Sequence, residues 1–78
     1  MAVGTFRYQN SSGYSDQIQN PEEYRTYNID ITPGAVENNT NATVRMYTEE
    51  DGRGDSDYLN PGNSRYITTS YRSCVFTT

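Results

Sequence analysis

The sequence predicts an all-β chain: a small antiparallel β-sandwich of Ig-like or jelly-roll character, without substantial helix, as one domain over residues 1–78. Three observations point there. Tyr, Thr, Ile and Val dominate several short runs, with Tyr supplying 8 of 78 residues, and these side chains suit a pleated, half-buried surface. Two segments alternate strictly between apolar and polar positions. Turn signals separate the runs at close spacing, and no stretch carries an apolar stripe at helical period.

Taken in order, Val3 to Tyr8 reads as a strand with Phe6 and Tyr8 on one face, followed by a turn at Ser11-Ser12-Gly13. Tyr14 to Gln19 pairs back, with Tyr14 and Ile18 inward. Asn20-Pro21-Glu22-Glu23 suits one helical turn, since proline fits the first helical position and acids the first turn. Tyr24 to Thr32 is the clearest strand, with Tyr27, Ile29 and Ile31 opposite Thr26, Asn28 and Asp30. Thr32-Pro33-Gly34 ends it in a type II turn. The polar run Asn38-Asn39-Thr40-Asn41 reads as loop. Ala42 to Thr48 is the second clear strand, with Ala42, Val44 and Met46 inward. Residues 49 to 57, rich in acids and holding Gly52 and Gly54, read as an exposed, mobile loop. Tyr58-Leu59 forms a short strand before a type II turn at Asn60-Pro61-Gly62. Arg65 to Ser70 and Tyr71 to Thr78 follow as β. The shared Pro-Gly signal at Ile31 to Gly34 and Leu59 to Gly62 does not amount to a repeat.

Composition narrows the chemistry. Leu, Ile, Val and Phe together number 11, a thin inventory against the entropy of ordering the chain. A chain this small often gains stability from disulfides, a metal or partner subunits, and the lone Cys74 permits no internal disulfide. There is no His and no Lys, which removes histidine dyads, common zinc sites, Schiff-base lysines and P-loop phosphate binding. Six Arg against ten acids, a net charge of −4, argue against a nucleic-acid footprint and an anionic membrane surface. No apolar run reaches membrane-spanning length, and Met1 to Thr5 shows no signal-peptide pattern. Three Asn-x-Ser/Thr sequons begin at Asn10, Asn38 and Asn41, as chance alone supplies in so Asn- and Thr-rich a chain.

Four features bear on function. Gly52-Arg53-Gly54-Asp55-Ser56 resembles the cell-adhesion sequence of fibronectin-like integrin ligands over five residues. That resemblance implies Arg53 meeting an acidic pocket, Asp55 completing a metal shell on the receptor, and Gly54 turning the tip. The bland alternative is a polar turn. Glu49, Glu50, Asp51, Asp55 and Asp57 offer hard oxygen ligands for calcium, but match no calcium-loop pattern and read better as a solvated acidic loop. Tyr47, Tyr58, Tyr66 and Tyr71 are candidates for stacking on sugars, against the simpler role of rimming a thin core. Cys74, in an apolar run, reads as a small buried hydrophobe, with an intermolecular disulfide as the alternative.

The expectation is a non-catalytic structural subunit, without cofactor or metal, that self-associates through sheet edges as a homo-oligomer. Its composition suits a secreted, pilus-like or virion surface. Tyr71, Cys74, Val75 and Phe76 are the expected assembly residues, because adjacent Val75 and Phe76 point to opposite faces and the last strand offers itself to a neighbour's edge. The alternative is a receptor- or carbohydrate-binding module acting through Arg53, Gly54 and Asp55 or a tyrosine face.

Overall fold

Alternation of inward and outward side chains governs most of the chain. A computed structural model describes residues 2–78, and it places eight strands: β1 (Gly4–Gln9), β2 (Ser15–Gln19), β3 (Thr26–Tyr27), β4 (Gly34–Thr40), β5 (Thr43–Glu49), β6 (Arg53–Leu59), β7 (Ser64–Ile67) and β8 (Ser73–Thr77). A single 3₁₀ turn, Glu50–Gly52, joins β5 to β6. The strands form two four-stranded antiparallel sheets, ordered β2-β1-β4-β7 and β3-β8-β5-β6. The fold is thus an all-β sandwich, and its accessible surface of 4564 Å² is near the ~4,800 Å² that scaling gives for this mass.

The pairing resolves the two sandwich alternatives. The ladders β5·β6, β4·β7 and β3·β8 nest inside one another like rungs of one long hairpin, and successive rungs fall in alternate sheets. That wrapping is a jelly roll, with hairpin β1·β2 supplying the fourth rung. Read another way, the molecule is two four-strand halves. Each half builds a hairpin, lays its fourth strand beside its first, and lends its third strand to the other half's sheet.

The core lies between the sheets. Phe6 of one sheet meets Phe76 of the other edge to face, with ring centroids 5.6 Å apart. Phe76 also packs in a T-shaped pair with Tyr27, with ring centroids 5.9 Å apart. Ile31, Val36, Val44, Met46 and Cys74 are fully buried around them. Such aromatic pairs add to the area they bury.

Several expectations are corrected. The run Asn38 to Asn41 is not a loop: Asn38 and Thr40 end β4 with their side chains buried. The Asn38 amide donates to the carbonyls of Ala42 and Leu59, both at 2.8 Å. Its oxygen accepts from the Thr40 hydroxyl at 2.6 Å and the Thr40 amide at 3.2 Å. This polar knot satisfies the backbone where the chain turns the corner from β4 to β5, and it buries the second sequon. Tyr24 to Thr32 keeps its alternation but pairs only at Thr26, Tyr27 and Ile31, because this segment crosses between the sheets. Gly34 has φ of +152° and opens β4, so no type II turn forms there. At Asn60-Pro61-Gly62 the type II turn is present, with Gly62 at φ +79° and the Asn63 amide donating to the Asn60 carbonyl at 3.1 Å. Residues 20–23 form no helical turn, and Tyr14 is 73 % exposed rather than inward.

Candidate functional site

The acidic segment expected as a mobile loop is a clamped turn followed by an edge strand. The register runs Tyr47 opposite Ser56, then Glu49 opposite Arg53, so Gly54 and Asp55 of β6 together face Thr48 in a bulge. The Thr48 hydroxyl accepts the Asp55 amide at 3.0 Å. Gly54 sits at φ +82°, and a Cβ there would collide with Thr48 Oγ1, so this crossing requires glycine. The 3₁₀ turn is tied from two directions. Gly52 donates its amide to Ser73 Oγ at 2.9 Å, and that hydroxyl donates to the Glu49 carbonyl at 2.6 Å. Asn28 exchanges two hydrogen bonds with Asp51, its amide donating to Oδ1 at 3.1 Å and its oxygen accepting the Asp51 amide at 2.9 Å. Acids that would repel in a free loop are thus spread along a fixed ribbon.

Arg53, Gly54 and Asp55 therefore stand on a strand, not at a loop tip, and all three are exposed. Among the described residues neither Arg53 nor Asp55 makes an ion pair. A shallow groove of about 320 Å³ runs beside them, lined by Glu49, Glu50, Asp51, Arg53 and Arg72. Arg72 lies 3.9 Å from Glu50 and 4.0 Å from Asp30. Among the described residues no three acid or thiol groups converge on a point that would hold a metal ion, so the calcium reading finds no ligand set.

The tyrosine candidates do not share a face. Tyr71 is buried in the core and Tyr47 is half-buried. Tyr58, opposite Arg45 on β5, faces outward from one sheet with the Arg45 guanidinium 5.7 Å from its ring. Tyr66, opposite Ala35, faces outward from the other.

The expected assembly residues are placed differently too. β8 is an interior strand between β3 and β5, so it presents no free edge. Tyr71, Cys74 and Phe76 are buried within the chain's own core, and only Val75 is half-exposed on the outer face. The premise that one of Val75 and Phe76 needs a neighbour fails for Phe76, since Phe6 and Tyr27 already cover it. Burial pushes the free Cys74 thiol up to about 12, which leaves it neither nucleophilic nor ready for a disulfide.

The features that sequence reading passed over lie on the edge strands. Asp57 shares the inward side of β6 with Leu59, and Arg65 shares the inward side of β7 with Ile67. These two inward charges meet at 2.7 Å and close the β6/β7 flank. Asp57 also accepts the Tyr58 amide at 2.8 Å, and Arg65 reaches the Tyr58 carbonyl at 3.3 Å. Charges at inward positions and side chains on edge backbone groups are ways of blocking strand addition. At the other end of its sheet, β2 has no such latch. Asn20 donates to Gly4 and Asn10 to the Tyr14 carbonyl, so by alternation the even residues of β2 bond β1 while Ser15, Gln17 and Gln19 turn their backbone outward. One cap exists there, from the Gln17 amide to Asp16 Oδ1 at 2.8 Å. Among the described residues no helix is long and apolar enough to cross a membrane. The chain matches no protein-family model, no curated protein and no solved structure.

Proposed function

We propose that this chain is a non-catalytic structural subunit that associates with copies of itself through a sheet edge. The observation that carries this reading is the contrast between the flanks. One is latched by Asp57 and Arg65 and capped at Tyr58; on the other, β2 leaves the outward backbone of Ser15 and Gln19 open. An edge with unpaired backbone groups is a template for another strand. The small apolar inventory and the inert, buried thiol fit the same reading, as does a composition suited to a secreted or virion surface. Jelly rolls recur in capsid and lectin domains alike, so fold alone does not choose between assembly and sugar binding. The test is solution mass by light scattering across protein concentration. Mass that rises with concentration supports assembly, and a monomer at every concentration overturns it.

A second reading has its own support. Arg53 and Asp55 are opposite charges without ion pairs, two residues apart on a ribbon held by Thr48, Ser73 and Asn28. A fixed, exposed pair of this kind suits a receptor with a metal-dependent carboxylate site. Cell attachment lost on Asp55→Glu with the fold intact would favour this reading. Equal attachment by both proteins would count against it.

A further inference from the structure

We infer that the partner at the open edge is a second copy of the same chain, its β2 running antiparallel to the first about a two-fold axis through Gln17. This rests on the assembly reading and gives it a register.

The argument starts from which backbone groups are free. In an antiparallel ladder, bonded and non-bonded positions alternate. Asn20 to Gly4 and Asn10 to Tyr14 fix the even residues on the β1 side, so the outward set is Ser15, Gln17 and Gln19. A self-complementary pairing must map this set onto itself. Centring the axis on Gln17 does so: Gln17 faces its own copy, and Ser15 faces Gln19.

Charge agrees with that register. Asp16 is the only charged residue of the five in β2, and the axis sets it opposite Ile18 of the partner subunit, not opposite its own copy. Like charges directly opposite destabilise a pair, and this register has none. Ser15, Gln17 and Gln19 are all exposed, and a single side-chain cap occupies their outward backbone groups among the described residues. The one cap, Asp16 Oδ1 on the Gln17 amide, is a single surface hydrogen bond that the incoming carbonyl replaces. The product is a continuous eight-stranded sheet, with the latched β7 edge at each far end. A register offset from Gln17 would leave one of these three outward residues without a match.

The test uses a residue that meets itself. Gln17→Lys places two ammonium groups opposite each other, and Gln17→Glu two carboxylates. Each variant alone is expected to weaken self-association by roughly fivefold, the scale of one unfavourable cross-strand pair. An equimolar mixture of the two is expected to associate again, as a one-to-one heterodimer. Both substitutions are at an exposed edge position, and the rescue in the mixture shows that each variant is folded. Wild-type association that neither variant alters, or that weakens in both without rescue on mixing, overturns the Gln17 axis while leaving assembly standing. A wild-type chain that stays monomeric at millimolar concentration overturns both.

Discussion

The two halves of the molecule solve one folding problem with different chemistry. Register equates their positions: Phe6 faces Asn38 across β1 and β4, as Val44 faces Phe76 across β5 and β8. Asn38 and Phe76 thus hold corresponding places, both fully buried. One half fills the place with an aromatic ring, the other with a hydrogen-bonded amide. The edge strands correspond in the same way. Ile18 pairs with Phe6 and Leu59 with Val44, which equates Asp16 with Asp57, and each aspartate accepts the amide of the next residue at 2.8 Å. Only Asp57 gains an arginine. The same device, with one added charge, separates a closed flank from an open one.

The largest expected effect comes from emptying the paired core positions. Phe76→Ala removes the ring that Phe6 and Tyr27 pack against, at about 4 kcal/mol. Asn38→Ala strips partners from the Ala42 and Leu59 carbonyls and the Thr40 amide, at about 3 kcal/mol. Either is a large share of the ~4–12 kcal/mol of a domain this size. Urea unfolding measures both. An Asn38→Ala loss below 1 kcal/mol would show that water, rather than the asparagine, satisfies the corner.

Why the halves escaped notice in the sequence follows from such pairs. Hydropathy marks β1 and β5 because Phe6, Tyr8, Val44 and Met46 are apolar at every second position. β4 alternates as strictly in burial, with Val36, Asn38 and Thr40 inside, yet two of its three inward residues are polar and read as loop. The corresponding pairs Phe6 with Val44 and Asn38 with Phe76 share no residue type, so no repeat stands out. β6 was hidden for a related reason: its inward position Asp57 is a charge that only the partner strand and Arg65 make intelligible. The Arg-Gly-Asp tripeptide was legible as a motif, but its place on a strand depends on the bulge that Gly54 and Asp55 form opposite Thr48.

Alkali sharpens the comparison at the core. The Cys74 thiol, buried in the second sheet, moves from its ordinary 9.0 to about 12. In the first sheet the Tyr8 hydroxyl moves from 10.0 to about 12, through burial first and then the charge of Asp16. For both groups the folded state holds its proton more tightly than the unfolded chain. Their contributions are therefore complete below pH 9 and decline as pH rises toward 12. The denaturation midpoint is expected to fall across that window. In Cys74→Val the decline starts later, nearer the ordinary tyrosine range. A midpoint flat from pH 9 to 11 in the wild type would contradict the burial of the thiol.

On the flanks, Asp57→Ala removes both the cap and the salt bridge and strands Arg65 on an inward position, at about 1 kcal/mol. The salt bridge is partly exposed and screened, so little more is expected. Asp16→Ala removes a cap and the 3.3 Å contact from the Tyr8 hydroxyl, at about 0.5 kcal/mol. The ordering of these two losses, measured side by side by thermal unfolding, is the point: equal losses would mean that Arg65 adds nothing to the closed flank.

The smallest effect distinguishes the two turns that enter the borrowed strands. Gly62 donates its amide to the Asn38 carbonyl at 2.7 Å, and Tyr24 donates to the Phe76 carbonyl at the same distance. These are corresponding bonds, and both donors lie in the left-handed region, at φ +79° and +61°. Glycine adopts that region freely, whereas a tyrosine there costs about 1 kcal/mol. No heavy atom lies near a Cβ built on Gly62, so Gly62→Ala tests the backbone cost alone and is expected to lose about 1 kcal/mol. Tyr24→Gly relieves the same cost but gives up the hydroxyl's bond to the Thr78 carbonyl at 3.0 Å. That bond is exposed and is worth about as much as the strain it offsets. The net change is expected to be within about 0.5 kcal/mol of zero. A clear loss on Tyr24→Gly would show that the hydroxyl pins the last strand more firmly than one exposed bond accounts for. A clear gain would show that it contributes nothing, and that this half carries unrelieved strain where the other half uses glycine.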